Sequence, residues 1–493
     1  MGLIRSVLPA TLCLSLMAAA CGTDSPDQGA QPSTTASANV DSAASTTTSD
    51  TAKTPSTPAN TTPHVTTTVA PTTTTFWGVD GGRQLIGPAG MQVNLAHCPA
   101  DWSDTTGVSA DTIVLGQTAP LSGPVAEGLG EVARAFNAYL VQVNNEGGIN
   151  GRRIHVLTED DQYRNAQTPA AAAKLREQGV FALPGGIGSG QALAASADAN
   201  AACVPQLFPL GAHPGLANPV GQPWTVGAYL SFNAEAYLWA EHIAATHPAG
   251  ATIAVLAIDN DYGRAIENAL IAAAQRKNGL RVLDPIRHLE SNSDAPARAA
   301  EAAAAGADVI VAATVGQGCA NLVSAVSNAA GAPGYLTSGC GPMAEGAEGW
   351  LQVSGMRAVE ELADPAVANH PDVTRYRSAM AAAGIDPASL PAWSSFLSAH
   401  LLVETLRAAD ARPGGLTRTN LLLAARSLRL THPATPLGVT LHLNGNADGH
   451  ALEGGAVYRF AAPGAPRHLV TVIDLDGQVP PCPWDLSTLR CAN

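Results

Sequence analysis

The chain has 493 residues, 46% hydrophobic and only 4% aromatic side chains, and a formal net charge of −14. That acidic balance argues against nucleic acid or an anionic membrane surface as partner, because both reward Lys and Arg. The apolar fraction, much of it Ala, is ample for a large core and suits helices packed on sheets better than an aromatic-rich β-sandwich.

The first 20 residues read as an export signal. Arg5 supplies a positive start, Val7 to Ala20 a mostly apolar stretch, and Ala18-Ala19-Ala20 the small residues before Cys21. The junction resembles the lipobox of bacterial lipoproteins, which implies acylation of Cys21 and a lipid anchor outside the cytoplasm. No other run reaches the roughly 18 uninterrupted apolar residues that a membrane helix needs. Residues 21–75 are mostly Ser, Thr, Ala and Pro, a composition that cannot offset its own ordering entropy. About 50 such residues span roughly 40 Å root-mean-square, the reach of a tether. Residues 76–108, with Trp77, Cys98 and Trp102, are expected to dock on the globular part as an N-terminal extension.

From Asp111 onward, strands and helices alternate. Ile113-Val114-Leu115 is a buried-strand run, and Val132, Phe136, Tyr139, Leu140 and Val143 recur at helical spacing before Gly147-Gly148 ends the helix. Ile154 to Leu157 is the next strand. Thr168-Pro169 opens another helix with Thr as its cap and proline in its first turn. Strand runs at 180–183, 204–208, 252–258 and 308–314 continue the rhythm, which means right-handed βαβ units and parallel sheets. About 390 residues exceed what one such sheet usually holds, so two α/β lobes are expected.

Export reframes the cysteines. Cys13 leaves with the signal and Cys21 carries lipid, which leaves six in an oxidising compartment. Six cysteines allow 15 pairings. Cys482 and Cys491 bracket a short loop, closing a C-terminal tail of residues 476–493. Cys319 and Cys340 follow successive predicted strands, and Cys98 and Cys203 remain for each other. None has zinc-site spacing with histidines, so no metal is expected.

Several segments, in order, resemble the periplasmic-type amino-acid-binding receptors of the leucine/isoleucine/valine group. Leu121 to Ala126 is similar to the first ligand loop, Asn144 to Arg152 to the N-x-x-GGI-x-G-(K/R) turn, and Glu159-Asp160-Asp161 to the strand-end acidic motif. Asp261-Tyr262-Gly263 is similar to the motif opening the second lobe, and Gly438 to Gly449 to the late hairpin. The resemblance implies a Venus-flytrap fold of two doubly wound α/β lobes joined by a hinge (type 1 periplasmic-binding-protein-like). Residues 109–229 with 359–475 would form lobe 1, and 230–358 lobe 2. It further implies no cofactor, a small-molecule solute in the cleft, and delivery to an ABC-type permease with its ATPases.

The site follows from the same resemblance. Gly188, Ser189 and Gly190 stand at a helix start, where free N–H groups and the dipole favour an anion; the family holds its ligand's carboxylate there. Ser122 in the first loop and the loop Leu210-Gly211-Ala212 would join it. Leu210 supplies a backbone contact, whereas Ala212 stands where the family carries Thr or Ser. His213 reads as a surface histidine. Tyr262 would pack on the ligand from lobe 2. Val315 replaces a family aromatic, and Cys340 replaces the Glu that neutralises an ammonium. The expected solute is therefore an amino acid, an amide or a small organic anion.

Two rivals belong to other classes. A secreted hydrolase lacks support, because the chain has no H-E-x-x-H, G-x-S-x-G or P-loop pattern. Glu159-Asp160-Asp161 reads as a solvated turn, and Asn444 to Gly449 as a hairpin turn, since Gly455 stands where a calcium loop needs Glu. A receptor of the same fold signalling to a membrane partner is the other alternative.

Overall fold

The computed structural model describes residues 77–328, 333–340, 355–366, 369–460 and 467–492, so the signal, Cys21 and the whole tether lie outside the described residues. The first sheet grows from β4 (Thr112–Ala119), following three short extension strands β1 (Gly78–Asp80), β2 (Gln84–Ile86) and β3 (Gln92–Asn94). β4 pairs in parallel with β5 (Arg153–Asp160), from Thr112 opposite Arg153 to Ala119 opposite Asp160. On its other side Leu115 bridges Ala182, beside β6 (Leu183–Pro184), which leads to β7 (Gln206–Leu207) and β8 (Thr225–Val226). The order β5-β4-β6-β7-β8 is that of a doubly wound sheet.

Between these strands lie α1 (Ala126–Asn145), α2 (Thr168–Glu177) and α3 (Ser189–Ala201). α1 buries Val132, Phe136, Tyr139, Leu140 and Val143, the stripe read from the sequence, together with Leu129. Gly148, at φ 67°, ends that turn, and a Cβ there would lie 2.0 Å from the Arg152 carbonyl oxygen, so only glycine fits. α2 corrects a detail: its cap is Gln167, and the Thr168 hydroxyl instead bonds Asp161 at 3.1 Å. Asp161 is wholly buried and also accepts the Tyr163 N–H, so the expected solvated acidic turn is in part an internal brace.

The second sheet is built on β9 (Ala251–Ile258), β12 (Val309–Ala313), β13 (Gly334–Leu336) and β14 (Arg357–Glu360), all parallel, with β10 (Leu280–Val282) and β11 (Ile286–His288) beside β9. β17 (Gly454–Arg459) and β18 (His468–Asp474) extend it antiparallel. Its helices are α4 (Phe232–Thr246), α5 (Asp261–Gln275), α6 (Ala295–Ala304) and α7 (Gln317–Asn328). Strands β17 and β18 of the 359–475 segment thus join the second sheet. Its long helix Leu390–Asp410, the ninth in our numbering after α8 (Pro371–Ala383), packs on α1. An aromatic cluster of Tyr139, Tyr376, Trp393 and Phe396 fills that contact, with ring centres 4.8–5.4 Å apart.

Short strands β15 (Arg429–Thr431) and β16 (Thr440–His442) follow α10 (Arg418–Arg426). Leu441 bridges Leu452 antiparallel, so residues 443–450 form the expected late turn. All three disulfides, Cys98–Cys203, Cys319–Cys340 and Cys482–Cys491, are formed. The extension lies on the first sheet's surroundings: Trp102 Nε1 donates to the Cys203 carbonyl at 2.8 Å, and Asp104 accepts from Thr419.

Candidate ligand-binding site

The parallel strands of both sheets deliver their functional loops at their carboxyl ends, where open α/β sheets place ligands. On the first sheet, Gly188 caps α3 at φ 104°, and its N–H donates to the Leu210 carbonyl at 2.9 Å. Leu210 returns its N–H to Gly186 at 2.8 Å. The Ser189 hydroxyl accepts the Ala212 N–H at 3.0 Å, leaving its proton free to donate. A side chain on Gly211 would begin 2.9 Å from the Ser189 Cα, so the two loops touch because one is glycine. The structure therefore brings Gly188, Ser189, Gly190, Leu210, Gly211 and Ala212 together, with the Leu210 carbonyl bonded within the chain. Ser122 serves a different contact: its exposed hydroxyl donates to Asp160 at 2.5 Å, and Asp160 also accepts the Leu121 and Ser122 N–H groups.

On the second sheet, Asn260 caps α5 and the Tyr262 ring lies edge-on to Phe232, centres 4.7 Å apart. Tyr262 is 7% exposed. Its hydroxyl accepts the Gly339 N–H at 2.8 Å and meets the Thr337 hydroxyl at 2.6 Å. Thr337 spends its proton on the Ala312 carbonyl, so Tyr262 must donate to Thr337. Burial raises the phenol above its ordinary pKa. Val315 and Cys340 are both buried, Cys340 in its disulfide.

Two acids that the motifs did not single out stand close by. Glu235 on α4 is fully buried, and its carboxyl accepts the Ser338 N–H at 2.6 Å and the Ser338 hydroxyl at 2.7 Å. Burial lifts its pKa to about 8 against the pull of those donors. Glu361, just past β14, is lifted to about 7 by the same cause. His213 is a correction. It is 3% exposed, its Nδ1 accepts the Gly215 N–H, and its ring meets Trp484 edge-on at 4.8 Å. Desolvation lowers its pKa to about 4. Trp484 belongs to the C-terminal hairpin β19 (Trp484–Asp485) and β20 (Arg490–Cys491), which covers this histidine.

A cavity of about 450 Å³ opens at the ends of β13 and β14, within the range of small-molecule pockets. Ser338 and Glu361 line it, together with Val359, Leu390, Trp393 and Arg467. Of the residues expected at the site, none lines this cavity; Cys340 comes nearest in sequence, two residues after Ser338. The link is the turn 337–340, which carries Ser338 to the cavity and Gly339 to Tyr262. Neither Glu235 nor the Glu360-Glu361 pair forms a motif, so only the turn's geometry reveals them. Among the described residues, no group of His, Cys, Asp and Glu could hold a metal ion. No described helix is long and apolar enough to cross a membrane.

Comparison with known proteins bears on the fold and the family. The family model described as periplasmic binding protein matches residues 112–464. No curated protein shows significant similarity. A possible leucine/isoleucine/valine-binding protein from Rhodopirellula baltica SH 1 is 18% identical, with 76% of this chain and 98% of that one covered and a TM-score of 0.58. A branched-chain amino acid ABC transporter from Thermus thermophilus with bound valine is 17% identical, covering 74% and 96% at a TM-score of 0.59. A fatty acid ABC transporter substrate-binding protein from Thermomonospora curvata is 19% identical, covering 78% and 98% at 0.58. These likenesses are of fold. With the family match spanning well over half of the chain, the protein belongs to the periplasmic binding proteins and has their type 1 fold, as its ordered motifs implied.

Proposed function

We propose that this chain is an extracytoplasmic receptor that captures a small solute between its two sheets and hands it to an ABC-type permease. The observation that carries this reading is the family match over residues 112–464, on strands whose carboxyl ends hold both the Ser189 loop and the Tyr262 turn. The solute would bind the first lobe through Ser189, Gly190 and the neighbouring backbone, and the second lobe would close over it. Closure is a population shift and needs contacts made only in the closed state. The related structures are named for cargoes as different as valine and a fatty acid, so the fold leaves the solute open. A lipid on Cys21 and the tether would hold the receptor at the membrane.

A thermal-shift screen over amino acids, amides, carboxylates and sugars tests the reading, because a solute that binds only the native state raises its melting temperature. At least one class should raise it; no response to any of them sinks the receptor reading. Ser189→Ala should then weaken a carboxylate-bearing solute by about 1–3 kcal/mol. Unchanged affinity would remove Ser189 from the contact set.

A further inference from the structure

We infer that the cavity beside the 337–340 turn receives an organic cation, an alkylamine whose ammonium group sits on Glu361 and whose apolar body lies against Val359, Leu390 and Trp393. The inference rests on the receptor reading above and names a solute class for this cavity, separate from any carboxylate contact at Ser189. Its first support is the charge of the wall. Glu361 lines the cavity and, apart from its own backbone N–H, has no hydrogen-bond or ion-pair partner among the described residues. Glu361 is half-buried, and a carboxylate on the wall of a largely apolar cavity with no cation of its own attracts one from the solute.

The second support is what the wall lacks. Arg467 is the only cationic side chain that lines the cavity among the described residues, and it is ion-paired with Glu360 and stacked over Tyr458 at 4.4 Å. A solute carboxylate would thus face Glu361 and Asp364 with no uncommitted cation in this wall. The third support is shape and polarity. The Trp393 indole N–H is spent on the Ala363 carbonyl at 2.8 Å, and the Tyr229 hydroxyl on the Ser394 carbonyl. Val359, Leu390 and Trp393 add apolar surface, suited to an alkyl chain instead of a polyhydroxylated solute. Glu361 does here what Cys340 cannot do at the position where the resemblance places an acid.

Charged and titratable groups face Glu361 from several elements: Glu360, Asp364 and Arg467 in the wall, and Glu235 and Tyr229 behind it. Since burial raises Glu361 to about 7, amine affinity should rise between pH 6 and 8 as it ionises. Glu235→Gln is the control that removes the other acid titrating in that range.

The test uses four probes with one branched body and different charge: 3-methylbutylamine, isovaleramide, isovalerate and leucine. Each is titrated by calorimetry into the full chain and into Glu361→Gln and Glu361→Asp. The amine should bind at least tenfold more tightly than the amide and isovalerate. Glu361→Gln should weaken the amine at least 30-fold, and Glu361→Asp should retain part of the affinity. If Glu361→Gln does not fold, the Glu361→Asp result and the pH profile of the unaltered chain decide. Preference for isovalerate, leucine or the amide, or equal amine binding by Glu361→Gln, overturns the cation assignment and leaves the receptor intact. If all four probes fail while the broader screen finds another solute, the cation assignment alone falls; if that screen is silent too, both readings fall.

Discussion

Tyr262 shows how a side chain chosen for a ligand role can have structural work of its own. Its hydroxyl stands between a donor and an acceptor, Gly339 N–H to Tyr262 to Thr337 to the Ala312 carbonyl, all inside the second sheet's edge. Tyr262→Phe would leave the Gly339 N–H without its acceptor in a buried place, a loss of about 1–3 kcal/mol. Chemical denaturation without solute should show that loss. A tyrosine whose hydroxyl served only the ligand would leave solute-free stability unchanged. His213 makes the complementary point: beside it in sequence lie Ala212 and Pro214, and nothing local tells that Trp484, some 270 residues later by the numbering, will cover it. Glu235 and Glu361 were silent for the same reason. A glutamate in a helical stretch, or one of a Glu360-Glu361 pair after a strand, reads as solvated, and only the tertiary packing buries Glu235 and half-buries Glu361.

At the scale of elements, the strand–helix alternation was legible because parallel strands buried on both faces are continuous apolar runs, as in Thr252 to Ile258. The glycine turn after α1 was legible because only glycine tolerates its geometry. The C-terminal hairpin was legible as a disulfide loop but not as a clasp. It touches both sheets' surroundings: Cys482 N–H donates to Ala217, Trp484 meets His213, and Asn268 on α5 donates to the Leu489 carbonyl at 3.1 Å. Closing so short a loop is worth about 2–3 kcal/mol of chain entropy. A Cys482→Ser/Cys491→Ser double variant should therefore melt at a lower temperature, and limited proteolysis should cut first between 476 and 492. Unchanged melting and an uncut tail would show that packing alone holds the clasp.

For the whole molecule, the buried titratable groups, with the half-buried Glu361, set a pH window. Glu235 and Glu453 are both held to about 8, and Glu361 and Asp448 to about 7, with burial the largest cause in each. An acid whose pKa is raised on folding stabilises the native state fully below its unfolded value, near 4.3 for Glu, and that stability is lost as pH rises through the folded value. Buried His213, His242 and His450 act oppositely: each is lowered to about 4, so the stability tied to their neutral forms is lost as pH falls below about 6.5. Between pH 4.5 and 6.5 the two sets partly cancel, and above 6.5 the acids act alone. There the native state holds protons that the unfolded chain has released, at about 1.4 kcal/mol per pH unit for each such proton. The melting temperature should fall steadily from pH 6.5 to 8.5 in solute-free protein. Glu235→Gln keeps a hydrogen-bonding partner for Ser338 and removes one titrating group, so that slope should become shallower. A melting temperature that is flat or rising over this range would mean that Glu235 and Glu453 are ionised in the folded protein, held so by the Ser338 donors and by the three backbone N–H groups, from Gly477, Gln478 and Val479, that reach Glu453.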